Sequence, residues 1–301
     1  MIDQADKLRK LVSSVNKDDD FKKKQRNIYS KSTRVIAVTS GKGGVGKTTF
    51  CINLALSMIN LGYKVLIMDA DIGFANVDVN LGIVPKHTIA DIIYGNKTID
   101  EILIDGPNQL KIVAGGSGIF ELMNLDMETL NKLTYQVLSL ENYVDYIIID
   151  TGAGLSEVSL RFLKSAQEII MLTTPEPPAI TDCYALIKTL SRQDVKEFNI
   201  VINRVQDKRE GYIVYKKLET VIKKFLKVKV NNYGYINDSK FVSKSIMQQK
   251  PFIINYPKTN ISKNINNIAL NVINNSFYQE EKSGFSEFMS RFRNFISKGG
   301  Y

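Results

Sequence analysis

Gly41-Lys42-Gly43-Gly44-Val45-Gly46-Lys47-Thr48-Thr49 lies between a β-branched apolar run, Arg34 to Ser40, and a stretch with helical apolar spacing, Thr48 to Leu61. Strand, glycine loop and helix in that order define a phosphate-binding loop. Gly41, Gly43, Gly44 and Gly46 let successive backbone N–H groups converge on phosphate oxygens. The N-terminus of the following helix adds its partial positive charge. Lys47 then reaches the β- and γ-phosphates, and the Thr48 hydroxyl ligates Mg²⁺. Val45 and Thr49 count among the loop's nucleotide contacts. Lys42, five residues before Lys47, is additional to this pattern.

Outward from the loop, strand-like runs recur at Val35 to Thr39, Lys64 to Met68, Leu110 to Val113, Tyr146 to Ile149, Glu168 to Thr173 and Asn199 to Ile202. Helix-patterned stretches separate them, at Thr48 to Leu61, Asp126 to Leu140, Ser156 to Ala166, Ile180 to Arg192, Tyr212 to Leu226, Lys240 to Gln249 and Ile261 to Ser276. This alternation predicts an α/β fold, a doubly wound and mostly parallel sheet with ligands at the carboxyl ends of its strands. Two of those ends carry acids. Asp69-Ala70-Asp71 places carboxylates at i and i+2 where a hydrolase needs an acceptor for its attacking water and help in holding Mg²⁺. Tyr146-Ile147-Ile148-Ile149-Asp150 ends as a Walker B strand does, with Asp150 reaching Mg²⁺ through water. Gly152 and Gly154 follow it and permit a switch segment to move.

With Lys42 beside Lys47, and with Asp71 and Asp150 downstream, the chain resembles the MinD/ParA group of deviant Walker A P-loop ATPases. The resemblance implies that Lys42 crosses to the phosphates held by a second subunit, so that ATP joins a homodimer. It gives Asp71 the water-positioning role and places Asp69 near the metal shell. Lys42, Lys47 and Asp71 are the catalytic set it implies, with ATP and Mg²⁺ as ligands. Asn203, with Arg204 after it, matches the position whose amide meets the adenine edge. An amide supplies both a donor and an acceptor, which favours ATP over GTP. Gly234-Tyr235-Ile236-Asn237 departs from the family, which often has proline after Gly-Tyr-Ile. Thr173 to Asp182, with Pro175, Pro177 and Pro178, resembles the family's stretch on the dimer-facing side.

The ends carry further expectations. The formal charge of +9 over 301 residues is uneven. Residues 1–34 hold ten Lys/Arg against five Asp/Glu, whereas residues 35–278 carry only +3. A basic arm of this kind suits nucleic acid, anionic lipid or an acidic partner, or simply solubilises the chain. Within it, Asp3-Gln4-Ala5-Asp6-Lys7-Leu8-Arg9 resembles the activator motif of the flagellar-number regulators, the FlhG group. There the glutamine stimulates a signal-recognition-type flagellar GTPase, which makes Gln4, Leu8 and Arg9 the partner-binding residues. At the other end Phe285, Phe288, Met289, Phe292, Phe295 and Ile296 recur at steps of three and four. Such a stripe either lies in an anionic membrane surface or packs back on the core. MinD-type proteins carry a membrane-targeting helix here, and the resemblance favours that reading.

The expected organisation is a basic extension at 1–34, an ATPase domain at 35–278 and an amphipathic helix at 279–301. No run of 18 apolar residues exists and no signal region precedes the core. The expected place is therefore the cytoplasm, peripheral on the inner face of the cell membrane when ATP is bound. Nucleic acid is not expected as a partner. Cys51, Cys183 and His87 stand apart from one another, which argues against a thiol-ligated metal or a nucleophile triad.

Overall fold

The computed structural model describes residues 33–71, 76–95, 97–115, 125–277 and 284–297. Gln4, Leu8 and Arg9 lie outside them, as does the side chain of Phe295. The described residues belong to one compact unit beginning at Thr33.

Eight strands form a single sheet: β1 (Arg34–Thr39), β2 (Val65–Ala70), β3 (Ile104–Asp105), β4 (Lys111–Val113), β5 (Tyr146–Thr151), β6 (Glu168–Thr173), β7 (Glu197–Val205) and β8 (Lys229–Asn237). Their spatial order is β3-β4-β2-β5-β1-β6-β7-β8. Among the described residues, only the β3–β4 pair is antiparallel. β2, β5 and β6 are buried along their whole length, the pattern of strands covered by helices on both faces. Alternation sorts each strand between two cores. On β1, Val35 and Ala37 face one cluster, whereas Ile36 and Val38 face the other.

The first cluster is covered by α3 (Ile89–Ile93), α4 (Ile99–Ile102), α5 (Met127–Leu138), α6 (Glu157–Ser165), α7 (Pro177–Ser191), α8 (Lys208–Phe225) and α12 (Phe285–Ser297). The second lies under α1 (Lys47–Asn60), α2 (Asn76–Leu81), α10 (Phe252–Asn255) and α11 (Asn260–Phe277), with α9 (Lys240–Met247) alongside. No described helix is long and apolar enough to cross a membrane.

Capping chemistry sets where several helices begin. α7 starts at Pro177, three residues before the expected Ile180, because proline suits the first turn, where the missing N–H has no acceptor anyway. α8 starts at Lys208 rather than Tyr212, since the Asp207 carboxylate accepts from Glu210 N at 2.8 Å. β8 is not among the expected strands. Its sequence, Lys-Val-Asn-Asn-Tyr-Gly-Tyr-Ile-Asn, is polar because it is an edge strand, although α11 packs on one face and α8 on the other.

α12 packs against α5 and α6. Phe285, Phe288, Met289, Phe292 and Ile296 are each at most 6% exposed, and Phe292 stacks on Phe162 of α6 at 4.6 Å. Burial of such side chains contributes roughly 1.5–3 kcal/mol apiece. Of the two readings the sequence leaves open for this stripe, packing on the core is the one seen in this structure.

Candidate nucleotide-binding site

The site is built at the carboxyl edge of β1, β2 and β5, where the doubly wound order changes direction. Gly44 and Gly46 adopt φ of 75° and 96°, a left-handed conformation that lets the loop curl into a nest of N–H groups. A Cβ placed on Gly43 or Gly44 would meet nothing within 4 Å, so the cradle is open on that side. Gly41 is the opposite case: its Cβ would fall 2.2 Å from the Asp182 carbonyl carbon, because the loop starts flush against α7. Lys47 is buried at the head of α1. Lys42 instead projects outward, with Nζ 3.6 Å from Glu176.

Asp69 and Asp150 are register partners on β2 and β5. Burial and the nearby Asp150 charge push the Asp69 carboxyl up to about 7, against the pull of three backbone N–H groups. Those donors are Asp71 N to Oδ1 at 3.1 Å, with Asn76 N and Val77 N to Oδ2 at 3.0 and 3.1 Å. Asp69 therefore anchors both ends of the segment that carries Asp71, a role the sequence pattern does not reveal. Asn76 Nδ2 donates to Asp71 Oδ2 at 3.2 Å. On the other side Asp71 Oδ1 lies over Gly152, where a Cβ would sit 3.0 Å away.

Asp150 is fully buried, and desolvation pushes its carboxyl up to about 6 against the attraction of the Lys47 ammonium. The Thr48 hydroxyl and Cys51 thiol lean on it electrostatically, but neither closes a hydrogen bond of normal geometry. Thr39 and Thr173 Oγ1 are likewise buried without a partner at the ends of β1 and β6. Buried polar groups of this kind are normally satisfied, so a row of them beneath a glycine nest matches a site whose partners arrive with a hydrated cation and a phosphate chain. Thr48 and Asp150, with Asp69 beside them, would be the residues to hold such a cation.

Two bonds tie the neighbouring segments to the loop. Gly154 N donates to Ser40 O at 2.9 Å, and Ser40 Oγ donates to Lys42 O at 2.8 Å. At the end of β7, Asn203 and Arg204 reach the loop's own carbonyls, and Asn237 Nδ2 closes on Gln206 O at 3.0 Å. The structure thus brings together the loop, both lysines, the three aspartates and the Asn203-Arg204 pair. Glu176, Asn76 and the anchoring role of Asp69 escape sequence reasoning, the last two although they lie within the Asp69 to Asn76 run.

This geometry defines a P-loop nucleotide-binding protein on a doubly wound sheet. A family model described as an AAA domain matches residues 33–203. The antiactivator FleN of Pseudomonas aeruginosa is 37% identical over 230 residues, 76% of this chain and 82% of that one. The flagellum site-determining protein YlxH of Helicobacter pylori is 31% identical over 98% of this chain and 100% of its own. Among solved structures, MinD in the MinC:MinD cell division complex of Aquifex aeolicus superimposes with a TM-score of 0.64 at 25% identity, over 80% of this chain and 96% of that one. The chain belongs to the MinD/ParA family of P-loop ATPases, with FlhG-type proteins among its relatives.

Proposed function

We propose that this protein is an ATP-hydrolysing switch that dimerises around nucleotide, associates reversibly with the membrane and regulates the number or placement of flagella. The observation that carries the reading is the gathering of Lys47, Asp71 and Asp150 beside one glycine nest, with Lys42 on the same loop turned outward to Glu176. Lys47 holds the β- and γ-phosphates from below, and the nest N–H groups neutralise their charge. Asp71, steadied by Asn76 and set over Gly152, orients the attacking water. Thr48 and Asp150, with Asp69 beside them, would hold Mg²⁺, which would supply neutralisation of the charge on the phosphates. Lys42 leaves Glu176 to reach the phosphates of a second copy, which puts Thr173 to Asp182 on the dimer face.

By the resemblance Asn203 and Arg204 complete the nucleotide contacts, with the amide hydrogen that Val45 O does not take left for the base. For membrane attachment, α12 has to leave its seat on α5 and α6 and present Phe285, Phe288, Met289, Phe292, Phe295 and Ile296 to anionic lipid. One short helix with net +2 over residues 284–301 holds weakly, whereas two on a dimer gain by avidity. The full-length likeness to YlxH, named as a flagellum site-determining protein, supports the flagellar assignment over septum positioning, and the Gln4 motif points to its partner, a signal-recognition-type GTPase. A glutamine amide can orient an attacking water in such an enzyme.

The experiment is GTP hydrolysis by that GTPase in the presence of the full-length protein and its Gln4→Ala variant. Stimulation that disappears in the variant supports the flagellar reading. No stimulation by either protein favours a MinD-type septum-positioning ATPase, which shares the core and the terminal helix but needs no Gln4. A ParA-type DNA-partitioning ATPase would instead sediment with DNA in a steeply salt-dependent way.

A further inference from the structure

A nest turns its N–H groups inward, so its carbonyls must point outward and find donors elsewhere. Two of them do so on one dipeptide. Val45 O accepts from Asn203 Nδ2 at 2.7 Å, and Gly44 O accepts from Arg204 Nη2 at 2.8 Å. Asn203 Oδ1 in turn accepts from Arg204 N at 2.9 Å, so the asparagine's acceptor and one of its two amide hydrogens are already engaged within the protein. Arg204 has φ of 57°, a left-handed conformation that strains a non-glycine residue. It sits at the bulge where β7 loses register with β8 between Ile202 and Val205. Without that turn the strand would carry the guanidinium along the sheet rather than back over the loop. Contact is close enough that a Cβ on Gly46 would come 2.8 Å from Asn203 Nδ2.

We propose that Asn203 and Arg204 are positioning residues for the phosphate nest: they hold the Gly44 and Val45 carbonyls outward, and the strained backbone of Arg204 exists to aim its side chain at Gly44. The pair makes the nest competent for phosphate before any base arrives. The inference rests on the P-loop reading above and adds to it, since contact with adenine alone would leave phosphate affinity indifferent to Arg204.

The test measures binding of Mg-ATP and Mg-tripolyphosphate to full-length wild type, Arg204→Gly, Arg204→Lys and Asn203→Ala. Glycine keeps the positive φ without strain and removes only the side chain, so melting of the nucleotide-free protein reports separately on folding. Arg204→Gly should weaken ATP and tripolyphosphate by the same factor, about three- to tenfold, with an apo melting temperature close to wild type. Lysine should restore part of the loss for both ligands, and Asn203→Ala should also weaken both. Loss confined to ATP would overturn the inference in favour of a base contact, and unchanged affinity for both would overturn it outright. A wild type that binds ATP but no tripolyphosphate would contradict it too, because the nest would then not be prebuilt. A wild type that binds no Mg-ATP would remove the P-loop reading itself.

Discussion

Gly41 has no room for a side chain, since its Cβ would lie 2.2 Å from one backbone atom of Asp182 and 2.4 Å from another. Gly41→Ala should therefore separate the loop from α7, lower the melting temperature by several degrees and abolish ATP binding in calorimetry. An alanine variant that binds ATP normally would show that the loop does not depend on this contact. Asp71 makes a different prediction, because its partners are Asn76 and the space over Gly152 rather than the core. Asp71→Ala should bind Mg-ATP with wild-type affinity and hydrolyse it at least about a hundredfold more slowly, as expected when a positioned water is lost. An unchanged rate removes Asp71 from the reaction. At this scale the sequence is informative about position: Lys42 and Lys47 stand on the glycine loop and Asp71 and Asp150 at strand ends, while their roles rest on the resemblance. It is silent on Glu176 beside Lys42, because a contact across 134 positions leaves no trace in local spacing.

Among the elements, α12 carries the sharpest consequence. Its aromatic face is buried against α5 and α6, so the proposed membrane attachment would have to draw on side chains that core packing already uses. Phe162→Ala removes the ring stacked on Phe292 and leaves a cavity under the helix. Deuterium exchange across residues 285–297 should then quicken while β1 and β5 keep their protection. Sedimentation with anionic liposomes should also increase without ATP, and exchange as slow as wild type would mean that the stack does not hold the helix. A periodic stripe looks the same in a bilayer and on a core, which is why the sequence could not choose. β8 shows the converse limit. Its polar residues suit an edge strand lying beside β7, and only the finished sheet order makes sense of them. The buried strands β1, β2, β5 and β6 are legible because parallel pairing requires near-continuous apolar runs.

For the whole molecule, charge and assembly decide behaviour. Half of the basic excess lies in residues 1–34, so lipid or partner contacts made there should weaken with salt, whereas attachment through the α12 apolar face should persist. Liposome sedimentation at low and high ionic strength separates the two contributions. The doubly wound topology was readable from the alternation of strand and helix, and with it the edge on which the site stands. Assembly is an expectation that rests on the family resemblance at Lys42, whose ammonium here faces Glu176 of its own chain. In the proposed cycle ATP joins two copies through that lysine, and hydrolysis positioned by Asp71 ends the union. That cycle is tested most directly by light-scattering mass in Mg-ATP for wild type, Lys42→Ala and Asp71→Ala. The chain mass is 34.0 kDa, so Asp71→Ala should run at about twice that value and Lys42→Ala should stay monomeric with nucleotide bound. A Lys42→Ala protein that dimerises with ATP as readily as Asp71→Ala would contradict the account.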